Sequence, residues 1–126
     1  MVCNFLSEKL FILYYFPENM PKFDGLHVIR NGWYLGELKK KRFEPSGAFA
    51  RALEPKDCEH VLDLKLDDPR VIKYLKCETI ETDDSIEKEQ NLENGWYLVC
   101  VEGYPLGFGK MSNETLKNKY PVGWRW

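Results

Sequence analysis

The sequence has few of the residues from which metal sites and nucleophilic centres are built. Neither His27 nor His60 has a cysteine or a second histidine at ligand spacing, and the four cysteines form no Cys-x-x-Cys pair. Ser46 precedes a glycine but lies outside any Gly-x-Ser-x-Gly motif, so a helix-capping role explains it better. The sequence therefore predicts no metal, no cofactor and no catalytic nucleophile, and it assigns structural roles to both histidines.

Long apolar segments are also missing. The longest strongly apolar run covers residues 10–16 and stops at Pro17, well short of the roughly 20 residues that cross a bilayer. The amino terminus lacks the basic opening and small-residue cleavage site of a signal peptide. The scattered cysteines are more typical of reduced core thiols than of disulfides. These features predict a cytoplasmic protein without membrane association.

What the sequence does contain is enough to form one hydrophobic core. It has 126 residues, of which 44% are hydrophobic and 14% aromatic, a composition that excludes intrinsic disorder. This length predicts a single domain over residues 1–126. The formal net charge is −2, so any binding of nucleic acid must come from a local basic patch.

The amino-terminal half predicts strands and one hairpin. Residues 10–16 are rich in β-branched and aromatic residues and suit a short buried strand, whereas residues 3–9 are also compatible with a helix. Residues 26–30 and 33–38 are expected to pair as a hairpin through the two-residue turn Asn31-Gly32. His27 would then alternate along the first strand of that hairpin.

Two short amphipathic helices are expected in the middle of the chain. The first starts near residues 44–46, and its apolar face consists of Ala48, Phe49, Ala52 and Leu53. The second starts at Asp68-Pro69, where an N-cap residue precedes proline at the first helical position. Its buried stripe consists of Val71, Ile72 and Leu75.

The carboxy-terminal half predicts an acidic loop followed by a second hairpin. A brief strand is expected between residues 77 and 80, and residues 78–93 hold seven acidic residues against one basic residue, which is typical of a solvated loop. Strands at 96–101 and 106–111 should be joined by a turn at 102–105, with Gly103, Gly107 and Gly109 serving turns and close strand packing. The whole pattern indicates an α+β domain whose sheet curls into a small, partly closed barrel.

The pentapeptide Asn-Gly-Trp-Tyr-Leu occurs at residues 31–35 and again at 94–98. Convergent hairpin chemistry, a turn followed by an aromatic strand, explains it better than internal duplication. Either explanation predicts that both segments are strands.

Basic residues concentrate in two segments. Residues 30–42 hold five basic residues against one acidic residue, and residues 107–126 hold four against one. If both hairpins belong to one curled sheet, the two segments adjoin and form one positive surface for phosphates. Neighbouring rings would then stack on unpaired bases; they are Phe43, Phe108, Tyr120, Trp124 and Trp126. In the alternative explanation the lysines protect strand ends from aggregation and the rings belong to the core.

Three segments, residues 36–46, 103–110 and 116–121, carry a family resemblance. With the sequences GELKKKRFEPS, GYPLGFGK and LKNKYP, they resemble in content and order the carboxy-terminal PUA-like domain of RsmF-type (Sun family) methyltransferases, which make 5-methylcytosine in ribosomal RNA. The similarity covers about residues 22–126. It implies a PUA-like pseudo-barrel of short, mostly antiparallel strands with two short helices.

The resemblance also implies a function. It indicates an RNA-binding module, with ribosomal RNA as the expected ligand, that acts in rRNA processing and ribosome biogenesis. The module would position RNA for a methyltransferase domain in the same chain or in a partner. The catalytic half of the family, with its glycine-rich cofactor loop and Pro-Cys dipeptide, has no counterpart here, so the chain is not expected to be an enzyme by itself.

The resemblance also supplies candidate RNA contacts, carried over because they match the family's motif positions and lie in the basic segments. They are Lys39, Lys40, Arg42, Lys110, Lys117, Asn118, Lys119 and Arg125. The alternative function is a protein-interaction module in ribosome assembly, whose hairpin edges or tryptophan-bearing tail dock a separate catalytic chain.

Overall fold

The computed structural model describes residues 2–7, 10–29, 32–82 and 92–126. The chain divides into two compact units, an amino-terminal unit (Met1–Phe49) and a carboxy-terminal unit (Ala50–Trp126). A single domain over residues 1–126 stays a prediction, because two compact units of one chain can still unfold together as one cooperative domain.

The amino-terminal unit is an antiparallel sheet with the strand order β1-β2-β3-β4. Its strands are β1 (Val2–Ser7), β2 (Leu10–Tyr15), β3 (Trp33–Lys39) and β4 (Arg42–Pro45). The strand expected at residues 10–16 is confirmed, although among its described side chains only Leu13 is fully buried. Residues 2–7 form a strand, so the helix considered for residues 3–9 is wrong over residues 3–7; residues 8 and 9 lie outside the described residues.

The hairpin expected between residues 26–30 and 33–38 is wrong. Residues 26–29 are not in a strand, and Ile29 is 88% exposed; Arg30 and Asn31 lie outside the described residues. The strand β3 pairs instead with β2 and β4. Because those two strands occupy both of its edges, none is left for residues 26–29, and His27 lies in an exposed connection.

The first helix, α1 (Gly47–Ala52), begins where the sequence places it. The Ser46 hydroxyl accepts a hydrogen bond from the Phe49 backbone N–H at 3.0 Å and donates one to the Tyr34 carbonyl at 2.7 Å. The capping role expected for Ser46 is therefore confirmed. The buried face differs from the expected one, since Ala50 is fully buried and Ala52 is exposed.

The carboxy-terminal unit contains a mixed sheet with the strand order β5-β7-β8-β9-β6. Its strands are β5 (Val61–Leu64), β6 (Ile80–Glu81), β7 (Gly95–Val101), β8 (Tyr104–Ser112) and β9 (Thr115–Asn118). Only β5 and β7 pair in parallel among the described strands. The α+β class, the curled half-barrel sheet and the mostly antiparallel pairing are confirmed.

Two tight turns build the meander β7-β8-β9. Glu102 and Gly103 have φ values of 49° and 82°, and Asn113 and Glu114 have φ values of 48° and 64°. Two consecutive residues with positive φ are the mark of the hairpin turn whose twist matches that of the flanking strands. The turn at 102–105 was expected, whereas the second turn and β9 were not. Both copies of the repeated pentapeptide contribute strands, at the start of β3 and of β7.

The second helix, α2 (Pro69–Leu75), also begins as expected. The Asp68 carboxylate caps it by accepting a hydrogen bond from the Arg70 backbone N–H at 2.9 Å. The Arg70 guanidinium lies 2.6 Å from the same carboxylate, and its hydrogen bond lowers the pKa of Asp68. The buried side chains of α2 are Val71 and Tyr74; Ile72, which the sequence assigns to the core, is exposed.

The core of this unit packs α2 against one face of the sheet, and Tyr74 lies fully buried within it. The Tyr74 hydroxyl donates a hydrogen bond to the Phe108 carbonyl at 2.8 Å. Two glycines make this packing possible, because a Cβ at Gly107 would lie 2.5 Å from the Tyr74 hydroxyl oxygen and one at Gly109 would lie 2.7 Å from Leu116. The close-packing roles expected for Gly107 and Gly109 are confirmed.

We expect Gly107→Ala to destabilise the protein by about 1–3 kcal/mol, because the added methyl group must displace the Tyr74 ring and its hydrogen bond. Urea unfolding measures the change. Gly123→Ala is the control, since a Cβ there meets nothing within 4 Å, and it should stay within about 0.5 kcal/mol of the wild type. Equal stabilities of the two variants would contradict this account of the packing.

Cysteine thiols are free at the described positions Cys58, Cys77 and Cys100. No group of side chains in the described ranges is arranged to hold a metal ion. Within the same ranges, no helix has the length and apolarity needed to cross a membrane. Burial raises the pKa of the Cys100 thiol to about 12, which makes this thiol a core group rather than a reactive one.

Because the pKa of Cys100 is raised in the folded state, the free energy of unfolding should fall as the pH rises into the alkaline range. The unfolded thiol ionises near pH 8.5, so the stability it contributes is complete below that pH and is lost as the pH rises towards the folded value of about 12. Over that window Cys100→Ala should remove up to about 1.4 kcal/mol per pH unit from the slope of the unfolding free energy. Urea titrations from pH 7.5 to 10 measure this slope, and identical slopes for both proteins would refute the prediction.

Candidate nucleic-acid interface

The two basic segments lie on different sheets. Residues 39–42 belong to the β3–β4 hairpin of the amino-terminal unit, whereas residues 110–119 belong to β8, β9 and the segment that follows in the carboxy-terminal unit. The expectation that both hairpins share one sheet is therefore wrong, because each hairpin finds its own strand partners.

The β3–β4 turn presents four consecutive basic residues, which we call the basic hairpin (Lys39, Lys40, Lys41 and Arg42). Its two outer members are paired: the Glu44 carboxylate lies 2.6 Å from Lys39 Nζ and 2.9 Å from Arg42 Nη2. The two central members, Lys40 and Lys41, are exposed and form no ion pair with the described part of the chain. The turn thus offers, at its tip, two cations that no described carboxylate pairs with.

The second surface is a cluster on β7, β8 and β9 that we call the lysine surface (Trp96, Lys110, Lys117 and Lys119). Trp96 lies directly opposite Lys110, and Lys110 lies directly opposite Lys117. Residues that face each other across neighbouring strands project from the same side of a sheet. Three members of the lysine surface therefore form one row across three strands.

This row lies on the side of the sheet away from the α2 core. The residues next to its members, Tyr97, Met111 and Leu116, are buried in that core. Because successive side chains of a strand alternate between faces, Trp96, Lys110 and Lys117 point the other way. Both lysines are exposed and Trp96 is half-buried, so this end of the sheet presents charge together with one aromatic ring.

The lysine surface carries positive charge that no described carboxylate neutralises. Among residues 2–7, 10–29, 32–82 and 92–126, none forms an ion pair with Lys110, Lys117 or Lys119. Lys110 and Lys117 are like charges in direct cross-strand opposition, an arrangement that destabilises a sheet. The Nζ atoms of Lys110 and Lys119 each lie 6.0 Å from the centre of the Trp96 ring, which offsets part of that cost.

Asn118 differs from its lysine neighbours because its side chain is used within the fold. Its Nδ2 donates hydrogen bonds to the Tyr74 carbonyl at 2.8 Å and the Glu78 carbonyl at 2.9 Å, and its Oδ1 accepts one from the Tyr120 N–H at 2.8 Å. Both amide N–H groups are thus occupied. Arg125, the remaining candidate, is exposed in the tail.

The aromatic residues expected to be exposed behave in different ways. Phe108 is only 6% exposed, so its placement on the surface is wrong. Tyr120 is half-buried, and its ring centre lies 5.5 Å from that of Tyr74. The rings of Trp124 and Trp126 are exposed, and Arg51 stacks 3.8 Å over Trp124.

Sequence reasoning missed Trp96 and Lys41. The sequence predicts Trp96 only as a strand residue. Its place beside the lysines depends on the register of β7 and β8. Lys41 is adjacent to candidate residues and equally exposed, and the signal was its place in an unbroken basic run.

Models of known protein families match both units of the chain. Residues 61–126, half of the chain, match the family model of the methyltransferase RsmF PUA domain. The chain belongs to this family. Residues 4–53 match the model of the RsmF rRNA methyltransferase first C-terminal domain. The resemblance to the carboxy-terminal region of RsmF-type methyltransferases is thereby confirmed.

The two matches follow the division of the molecule. The RsmF PUA model covers β5 to the tail of the carboxy-terminal unit, and the other model covers the sheet of the amino-terminal unit together with α1. Both models describe accessory domains of the methyltransferase, and neither is its catalytic domain. The lysine surface lies within the RsmF PUA domain, and the basic hairpin lies within the preceding one.

Replacing Asn118 by alanine should destabilise the RsmF PUA domain by about 1–3 kcal/mol, because two carbonyl groups and one N–H each lose a hydrogen bond. Lys117→Ala, at the adjacent exposed position, is the control and should change stability by less than about 0.5 kcal/mol. Thermal and urea unfolding report both values. An Asn118→Ala protein as stable as the wild type would show that these hydrogen bonds do not hold the end of β9.

Proposed function

We propose that this carboxy-terminal region of an RsmF-type methyltransferase binds ribosomal RNA and positions it for a methyltransferase domain in the same chain or in a partner. The observation that carries the proposal is the lysine surface, where three lysines project from one end of a sheet without a described acidic partner. Phosphate binding to such a surface is favourable, because it offsets the mutual repulsion of the lysines and releases counterions.

The residues divide into two groups under this proposal. Lys110, Lys117 and Lys119 contact phosphates, whereas Asn118 fixes the end of β9 and shapes the surface from below. The basic hairpin supplies a second phosphate contact, mainly through Lys40 and Lys41, because Glu44 partly neutralises Lys39 and Arg42. Arg125 contributes from the tail. The module acts in ribosome biogenesis in the cytoplasm, without a cofactor and without catalysis of its own.

A second candidate function rests on the exposed tail. Val122 and Trp126 are 76% and 73% exposed, so most of each side chain is open to solvent. Exposed apolar groups of this kind are common at protein interfaces. In this alternative the tail docks a separate catalytic chain in ribosome assembly. Capture of that chain would survive ribonuclease treatment and the loss of the surface lysines, whereas RNA-mediated capture would not.

Replacing Lys110, Lys117 and Lys119 by glutamine should weaken RNA binding for all sequences alike and make it less dependent on salt. If each lysine neutralises one phosphate of a single strand, the slope of log affinity against log salt should become shallower by about 2. Fluorescence anisotropy with a labelled ribosomal RNA fragment at several salt concentrations measures both quantities.

The matched control replaces Lys56, Lys65 and Lys76, three exposed lysines of the same unit, by glutamine. This variant has the same net charge as the first, so the lysine surface is responsible only if the control keeps the wild-type slope. Identical losses in both variants would reduce the effect to overall charge. Binding that is absent, or independent of salt, would exclude the proposal.

A further inference from the structure

Trp96 lies at the border between buried and charged residues, because on its face of the sheet Phe108 is buried and Lys110, directly opposite, is exposed. It projects from the side of the sheet away from the α2 core, in the same cross-strand row as Lys110 and Lys117. A half-buried tryptophan beside an exposed lysine leaves part of a large π surface open to solvent. Rings interleaved with cations are the usual means by which proteins hold unpaired nucleotides.

The ring is supported by a neighbour on the same face of the sheet. Phe108 meets it edge to face, with the ring centres 6.3 Å apart and the planes at 83°, and Phe108 itself is buried. Trp96 also lies on β7, which is flanked by β5 and β8. An aromatic ring held on an inner strand against a buried partner loses little conformational freedom when a base stacks on it.

The lysines near the ring are held weakly enough to turn towards a phosphate. Lys110 Nζ and Lys119 Nζ lie 6.0 Å from the ring centre, at the outer limit of a cation–π contact. Lys117 lies next to Lys110 on the other side. A nucleotide whose base lies on the ring therefore meets cations on its backbone, without any ion pair to a described residue being broken.

We propose that Trp96 is the stacking platform for an unpaired nucleotide of the bound RNA, with Lys110, Lys117 and Lys119 holding the adjoining phosphates. The inference rests on the proposed function and adds the form of RNA that is recognised. A duplex keeps its bases stacked on one another and offers no free face to the ring. The surface has little means of reading base edges, because the Asn118 N–H groups are occupied, so the base can be any of the four.

Two RNA ligands of the same sequence, a single strand and its duplex, test the proposal by fluorescence anisotropy. Trp96→Leu should weaken binding of the single strand by roughly 5- to 150-fold and leave the duplex unchanged, whereas Trp96→Phe should retain most of the affinity. Tyr104→Leu, which removes an exposed aromatic ring of β8 at its turn to β7, is the matched control and should bind as the wild type does.

Photo-cross-linking of the wild-type protein gives an answer that does not depend on the folding of any variant. A single strand containing 5-iodouridine should form its main cross-link at Trp96, located by mass spectrometry of the digested complex. A main cross-link at Trp124 or Trp126, or a Trp96→Leu protein that is folded and binds the single strand normally, would overturn the stacking role.

These outcomes separate the inference from the function on which it rests. Loss of binding in the lysine variant, together with normal binding by Trp96→Leu, keeps the phosphate contacts and rejects the platform. Equal affinity of single strand and duplex, both insensitive to Trp96, also rejects it. A wild-type protein that binds neither ligand at low salt rejects both proposals.

Discussion

The hydrogen bond from the Tyr74 hydroxyl to the Phe108 carbonyl joins the buried helix to the surface that carries the proposed function. The same carbonyl accepts the Lys119 backbone N–H at 3.2 Å, so one oxygen, with its two lone pairs, fixes both the core tyrosine and the start of the tail. The Tyr74 carbonyl in turn accepts from Asn118. Tyr74 thus holds β8 and β9 together from below, and the lysines on those strands take their positions from it. Gly107 leaves room for this arrangement because it has no side chain.

The division of the sheet into a core face and a lysine face depends on one irregularity. Val99 lies opposite Gly107 whereas Cys100 lies opposite Pro105, which leaves Leu106 as an extra residue on β8. Without this bulge, counting back from the turn at Glu102-Gly103 would place Trp96 opposite Gly109. A shift of one residue exchanges the two faces of a strand, so Lys110 would point into the core and Met111 to solvent. The bulge therefore brings Trp96 and Lys110 to the same side.

The sequence predicted the helix starts and the turn that depend on interactions between neighbouring residues. Ser46 and Asp68 mark the two helix starts, and Glu102-Gly103 marks the hairpin turn. Features set by distant partners were not predictable in this way. Residues 26–29 have strand-like composition, but β2 and β4 occupy both edges of β3. Likewise, β5 pairs in parallel with a strand more than thirty residues away. The candidate lysines came from charge and resemblance. Trp96 was missed because the bulge that places it beside them has no clear mark in the sequence.

The two basic surfaces differ in how far carboxylates balance their positive charge, and this difference bears on the proposed function. In the basic hairpin, Glu44 bridges Lys39 and Arg42 across the turn, so one of the four positive charges is already balanced in the free protein. In the lysine surface, Lys110 and Lys117 oppose each other, Lys110 Nζ lies 6.0 Å from the centre of the Trp96 ring, and no described carboxylate pairs with either lysine. Such opposition costs a few tenths to about 1 kcal/mol of stability, and surface lysines are easily replaced without harm to a core. Because phosphate contacts remove this repulsion, bound RNA would stabilise the folded state, and the unfavourable pair becomes favourable only in the complex.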